Sequence, residues 1–221
     1  MLFALRQPAV LLGLVLGFAA GMIALSGATR LLDRNSRYPT PFWHPQAWLD
    51  PYGAVAALLA GTGWAPRPEV RRGFGRSQHQ QLWIVAAISV VVPAVLAAAG
   101  LAVYVSLTSR SVLPFVDSYP VLHGFTDAAV TTGQKVALGF GIENLTVAIL
   151  SVVPIPPLPT GVAVWTVFPR GTGARQLAYR MLEEHWGIVA LLVLFLVPLA
   201  GDGPLLLVLV TTISDAIIHA L

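Results

Sequence analysis

The sequence predicts an all-α, polytopic membrane helix bundle of about four to six membrane segments, one of them re-entrant or interfacial and one kinked by proline. Three observations carry that prediction. Of the 221 residues, 56% are hydrophobic and 10% charged, against roughly 25% charged in a soluble domain. Apolar runs near the roughly 20 residues a spanning helix needs recur along the chain. Finally, Pro154, Pro156, Pro157 and Pro159 crowd one of these runs, SVVPIPPLPTGVAV (151–164). Each proline removes a backbone donor and clashes with the preceding turn, so no helix continues through them.

The elements follow in order. Residues 8–28 form a first span. Arg6 precedes it and Arg30, Arg34 and Arg37 follow it, which fits a retained anchor rather than a cleaved leader. Residues 47–64, AWLDPYGAVAALLAGTGW, are apolar but short and broken by Asp50-Pro51 and glycines, the pattern of a re-entrant or surface-lying segment. Residues 65–81 are a basic loop carrying Arg67, Arg71, Arg72 and Arg76 against Glu69. Residues 82–105 are an uncharged span with Pro93 inside it, and Trp83 and Tyr104 stand where interfacial anchors belong. A polar loop (106–135) leads to the third span, 136–168, which contains the proline cluster. A mixed-charge connector (170–186) precedes 187–220, an apolar region interrupted at GDGP. It reads either as two short helices or as one span plus a surface helix.

The formal charge is +3 and the pI about 9.7. Those basic residues flank the apolar runs, so they report orientation and not nucleic-acid binding. With 47–64 not crossing, Arg30 through Arg76 contribute seven basic residues and 170–186 three on one side, against Arg6, Arg110 and Lys135 on the other. Ten against three places the basic loops in the cytoplasm and the N-terminus outside. The chain has no cysteine, which removes disulfides, thiolate ligands and iron–sulfur clusters from consideration.

Three stretches resemble one family. HPQAWLDPYGAVAALLAGTGWAPRPEV (44–70), with Asp50, Pro51, Gly53, Gly63 and Trp64, is similar to the LDPxG…GWAKPVPV segment of the site-2 proteases, intramembrane zinc metalloproteases. ENLTVAILSVVPIPPLPTG, with Asn144 ahead of Pro154, Pro156 and Pro157, resembles their NLLPIPPLDGG. MLEEHWGIVALLVLFLVPLAGDGPLL resembles the apolar C-terminal region of their short bacterial members. The resemblance implies that family's fold and a bacterial plasma membrane location.

The family's zinc ligands are two histidines of an HExxH helix and the aspartate of LDGG, with the HExxH glutamate as general base. A helix sets i and i+4 on one face, which is why that spacing holds a metal. At those positions this chain has Gly21, Met22 and Leu25 (GMIAL) and, at the kink, Pro159. The histidine of the family's HLDP is Trp48, and of its Gly-Pro and Asn in the central span Pro93 alone remains. The matched positions shape backbone and the unmatched ones carry chemistry.

Other chemistries find no support in the residues. His44, His79, His123, His185 and His219 show no paired helical spacing, and Asp215 with His219 makes a local polar pair at most. Ser151, Thr160 and Thr166 have no base nearby in sequence, and their expected role is to bond carbonyls freed by the prolines. Glu143 stands apart. A carboxyl within an apolar span costs about 2.5–3.5 kcal/mol and faces a cavity, a partner or the bundle interior. Bonding to Asn144 or a loop is one reading; a proton relay or partner contact is another.

The sequence therefore predicts a non-catalytic pseudoprotease without a metal cofactor. It would act in contact with membrane lipid as an accessory or regulatory subunit that binds the transmembrane helices of another membrane protein. An active metalloprotease, with zinc held in an atypical or partner-supplied site, and a transporter or channel subunit using Glu143 are the alternatives.

Overall fold

The computed structural model describes residues 1–32, 49–66, 78–108, 110–127, 129, 131–167, 171–198 and 203–221. His44, Trp48 and the arginines Arg67, Arg71, Arg72 and Arg76 lie outside them. The described residues form helices α1 (Pro8–Leu32), α2 (Pro51–Ala60), α3 (Gln78–Leu107), α4 (Ser118–Leu122), α5 (Thr132–Val152), α6 (Pro159–Val167), α7 (Thr172–Leu182), α8 (Trp186–Leu196) and α9 (Leu205–His219), with no strand among them. The protein is an all-α integral membrane bundle.

Among the described residues three helices are long and apolar enough to cross a bilayer: Pro8–Gly27 within α1, Gln80–Leu107 within α3, and α5. The other apolar helices, α2, α8 and α9, are shorter. The 10 residues of α2 extend about 15 Å. The region 187–220 is two helices, α8 and α9, brought together by a bridge between Pro198 and Pro204.

α5 is the central element, packed against both α1 and α3. Small residues let the backbones approach, as they do where apolar side chains gain nothing by leaving lipid. A Cβ on Gly13 would stand 2.4 Å from the Val136 carbonyl oxygen, and one on Gly139 would stand 2.9 Å from that of Val10. Further along, Gly17 faces Phe140. Contacts that advance together on both helices make α1 and α5 parallel. α3 runs the other way: Gly100 abuts Gly141, while Gln134 Nε2 donates to the Leu107 carbonyl at 2.8 Å.

Several local expectations are corrected. Tyr104 is fully buried in the core and is no interfacial anchor, whereas Trp83 is half-exposed. The connector 170–186 contains α7, an amphipathic helix, and the polar loop 106–135 contains α4. The run 136–168 is not one kinked helix, because α5 ends at Val152, ahead of the first proline, and α6 starts at Pro159.

Candidate functional site

The segment 50–64 folds back on itself through its own motif residues. Asp50 caps α2, its Oδ1 accepting from the Gly53 N–H at 2.8 Å, and Pro51 fills the first helical position, where its missing donor costs nothing. The returning chain then lies against the helix start. A Cβ on Gly53 would fall 2.1 Å from the Trp64 carbonyl oxygen, and one on Gly63 would fall 2.0 Å from that of Gly53. Trp64 is buried and packs on Phe195 of α8, ring centroids 5.8 Å apart. Asp50, Pro51, Gly53, Gly63 and Trp64 thus build one compact turn.

The proline segment is sheltered in a similar way. Between α5 and α6 the chain turns through a cis Pro156-Pro157 bond, with Pro156, Pro157 and Pro159 buried and Pro154 exposed. Trp165 Nε1 reaches back from α6 and donates to the Pro154 carbonyl at 2.9 Å. Gly161 lies against the backbone of Ile155, and Gly187 of α8 against the Pro156 carbonyl, 2.2 Å from a Cβ placed there. The hydroxyls behave differently from expectation. Ser151 bonds Val147 and Thr166 bonds Val162, each four residues back within its own helix, so an indole satisfies a kink carbonyl and these hydroxyls do not. In NLLPIPPLDGG the asparagine stands three residues before the first proline, the place of Ser151 here. Asn144 lies farther up α5.

At the positions that the resemblance pairs with the family's ligands and base, the side chains present are buried and apolar. Met22 is fully buried and Leu25 nearly so. A Cβ on Gly21 would have only Asn144 Oδ1, at 3.0 Å, within 4 Å beyond its own helix among the described residues. Pro159 is buried at the start of α6. A catalytic zinc needs three protein ligands. None of these four positions offers an imidazole or carboxylate, and no three His, Cys, Asp or Glu side chains come together among the described residues. The zinc of the resembling family does not fit the residues present here.

Glu143 is fully buried on α5, beside Gly17 of α1, and Asn144 follows it. Of the readings open for Glu143, a bond to Asn144 does not form, and the neighbouring group comes from a loop. Asn144 Nδ2 donates to the Phe140 carbonyl at 2.9 Å, and neither Glu143 oxygen has a hydrogen-bond partner among the described residues. The Thr62 hydroxyl, from the turn after α2, neighbours the carboxyl and interacts with it, but no full hydrogen bond closes between them. Thr62 was not legible as a partner in the sequence. Gly13, Gly17 and Gly21, a small residue at every fourth position of an apolar helix, carry the pattern of close helix packing that could have located this seam.

Asp215 and His219 do not pair with one another. Asp215 Oδ1 accepts from the Ser118 N–H at 2.7 Å, while His219 Nε2 meets the Val116 carbonyl at 3.1 Å. Together with the Ser118–Ser214 hydroxyl contact at 2.8 Å, they tie α9 to the start of α4. His123 stacks on Tyr119.

Comparison with known proteins gives a similarity of use. Over 165 residues, 72% of the chain, it is 27% identical to "Putative zinc metalloprotease YwhC" of Bacillus subtilis (strain 168). The match covers 65% of that protein, so the chain spans less than two thirds of its relative's length. No protein-family model matches, and no solved structure does.

Proposed function

We propose that this chain is a site-2 protease-like protein that has lost its zinc site, and that it acts as a pseudoprotease. It would serve as an accessory or regulatory subunit that holds a transmembrane helix of another membrane protein. The observation that carries this reading is the division among the matched positions. Asp50, Pro51, Gly53, Gly63 and Trp64 make a shaped turn, while Met22, Leu25 and Pro159 are buried and neither they nor Gly21 offer a zinc-ligating side chain. Selection for a fold without its chemistry leaves that pattern, and fold alone does not fix function.

The reading places the chain in a bacterial plasma membrane with its basic loops in the cytoplasm and its N-terminus outside. The ten-to-three distribution of Lys and Arg supports it. So do the helix directions: α1 and α5 run parallel and α3 opposite to both, as successive crossings require if α2 does not cross.

Elemental analysis of the purified protein, together with affinity purification from native membranes, tests the proposal. Substoichiometric zinc and a stoichiometric membrane-protein partner are expected; tightly held stoichiometric zinc overturns it. A second reading, an active metalloprotease completed by a partner, draws on the name of the Bacillus subtilis relative. It requires cleavage of a membrane substrate by the isolated complex. A transporter subunit using Glu143 draws on that residue's burial, and requires a proton or solute flux abolished by Glu143→Gln.

A further inference from the structure

The seam between α1 and α5 is closed at one end and open at the other. A Cβ on Gly13 would collide with α5 backbone at 2.4 Å and one on Gly17 would approach it at 3.0 Å, but at Gly21 the described neighbour is Asn144 Oδ1. The amide has a fixed sense. Its nitrogen donates to the Phe140 carbonyl, and a flip would set two oxygens together. Oδ1 therefore accepts, faces the room left at Gly21, and has no donor among the described residues.

Further polar atoms are stranded nearby in the fold. Both Glu143 oxygens, the Thr62 hydroxyl and Trp64 Nε1 are buried and lack hydrogen-bond partners among the described residues. A buried polar group left without a partner costs about 1–3 kcal/mol, more when charged, and lipid supplies no water from outside to relieve it. Most of the stranded atoms are acceptors, which suits an occupant rich in donors. Internal water makes two to four bonds to such groups where a polar site leaves it room.

We infer that this seam is an internal hydration site. Water donates to Asn144 Oδ1 in the space beside Gly21 and links the Glu143 carboxyl to the Thr62 hydroxyl at the turn that leads to Trp64. Glu143 is then a carboxyl that exchanges with water inside the bundle. The inference is independent of whether the chain cuts, because it uses none of the positions assigned to zinc chemistry except the space at Gly21.

X-ray hydroxyl-radical labelling of the wild-type protein in lipid nanodiscs, in oxygen-18 water, tests it. Radicals form from water at the spot, so a buried side chain takes up label only beside internal water. Trp64 is 2% exposed and is expected to label as the exposed Phe125 does, while Tyr104, 0% exposed in the same bundle, stays unlabelled. Trp64 as inert as Tyr104 overturns the inference. Glu143→Gln, which keeps a polar group in place, is expected to retain the labelling and Glu143→Leu to lose it. Wild-type labelling that persists in a folded Glu143→Leu variant also overturns it, and the wild-type measurement decides the matter if that variant does not fold.

Discussion

Gly63 stands against Gly53 so closely that a Cβ on it would fall 2.0 Å from the Gly53 carbonyl oxygen, a backbone atom that cannot swing aside. Gly63→Ala should therefore separate the turn from the start of α2, with an overpacking cost of about 1–3 kcal/mol. Thermal unfolding of the purified protein in detergent measures it. Gly27→Ala, with no described atom within 4 Å of its Cβ, is the matched control and should leave the midpoint unchanged or raise it, alanine being the better helix former.

The three glycines of α1 should not respond alike. Gly13→Ala meets the Val136 carbonyl at 2.4 Å and must push α1 from α5, a loss of about 1–3 kcal/mol. Gly21→Ala meets a side-chain oxygen at 3.0 Å that can give way, and should cost less. Equal midpoints for the two variants in a melting series would contradict the seam's opening towards Asn144.

Much of this architecture was legible in residues whose backbone role is fixed by covalent chemistry. The prolines from Pro154 onward bar a continuing helix, and α5 ends at Val152; Asp50-Pro51, a break in the apolar run 47–64, starts α2, because a missing N–H and a side-chain cap act within a few residues whatever surrounds them. What the sequence could not give is set by contacts far apart in the chain. Thr62 beside Glu143, Asp215 on Ser118 and the burial of Tyr104 all depend on how helices dock, and no local spacing encodes that. At Gly21, Met22, Leu25 and Pro159 the residue types speak without the fold: glycine, leucine and proline have no donor side chain, and a methionine thioether is not among the cysteine, histidine and carboxylate ligands zinc takes.

Trp165 should matter through its nitrogen. Its Nε1 satisfies the Pro154 carbonyl at 2.9 Å, next to a segment whose prolines donate nothing. Trp165→Phe keeps the ring and removes the donor, and should cost about 0.5–1.5 kcal/mol, the net worth of one neutral hydrogen bond. Denaturant unfolding of the two proteins under identical detergent conditions gives the difference.

Asp215 is an anchor for α4, its Oδ1 holding the Ser118 N–H at 2.7 Å from a helix 97 residues away in sequence. Asp215→Ala leaves that donor without its partner, and should cost about 1–3 kcal/mol. Proteolysis should first increase near 116–122, which hydrogen exchange of the same segment would register. Unchanged protection there would show that the Ser118–Ser214 contact at 2.8 Å holds the two elements alone.

Met22→Glu tests the position that the resemblance pairs with the general base of the site-2 proteases. The residue is 0% exposed and packed among apolar side chains, and a carboxylate introduced there has no ligand set to join among the described residues. An unpaired buried charge of this kind typically costs about 3–5 kcal/mol, enough to lower the melting midpoint sharply or prevent folding. Added zinc should not restore the midpoint, since a metal stabilises only a state that binds it. A variant that folds normally and gains stability with zinc would mean that ligands converge on this position, and that the packing around Met22 is not that of a closed core.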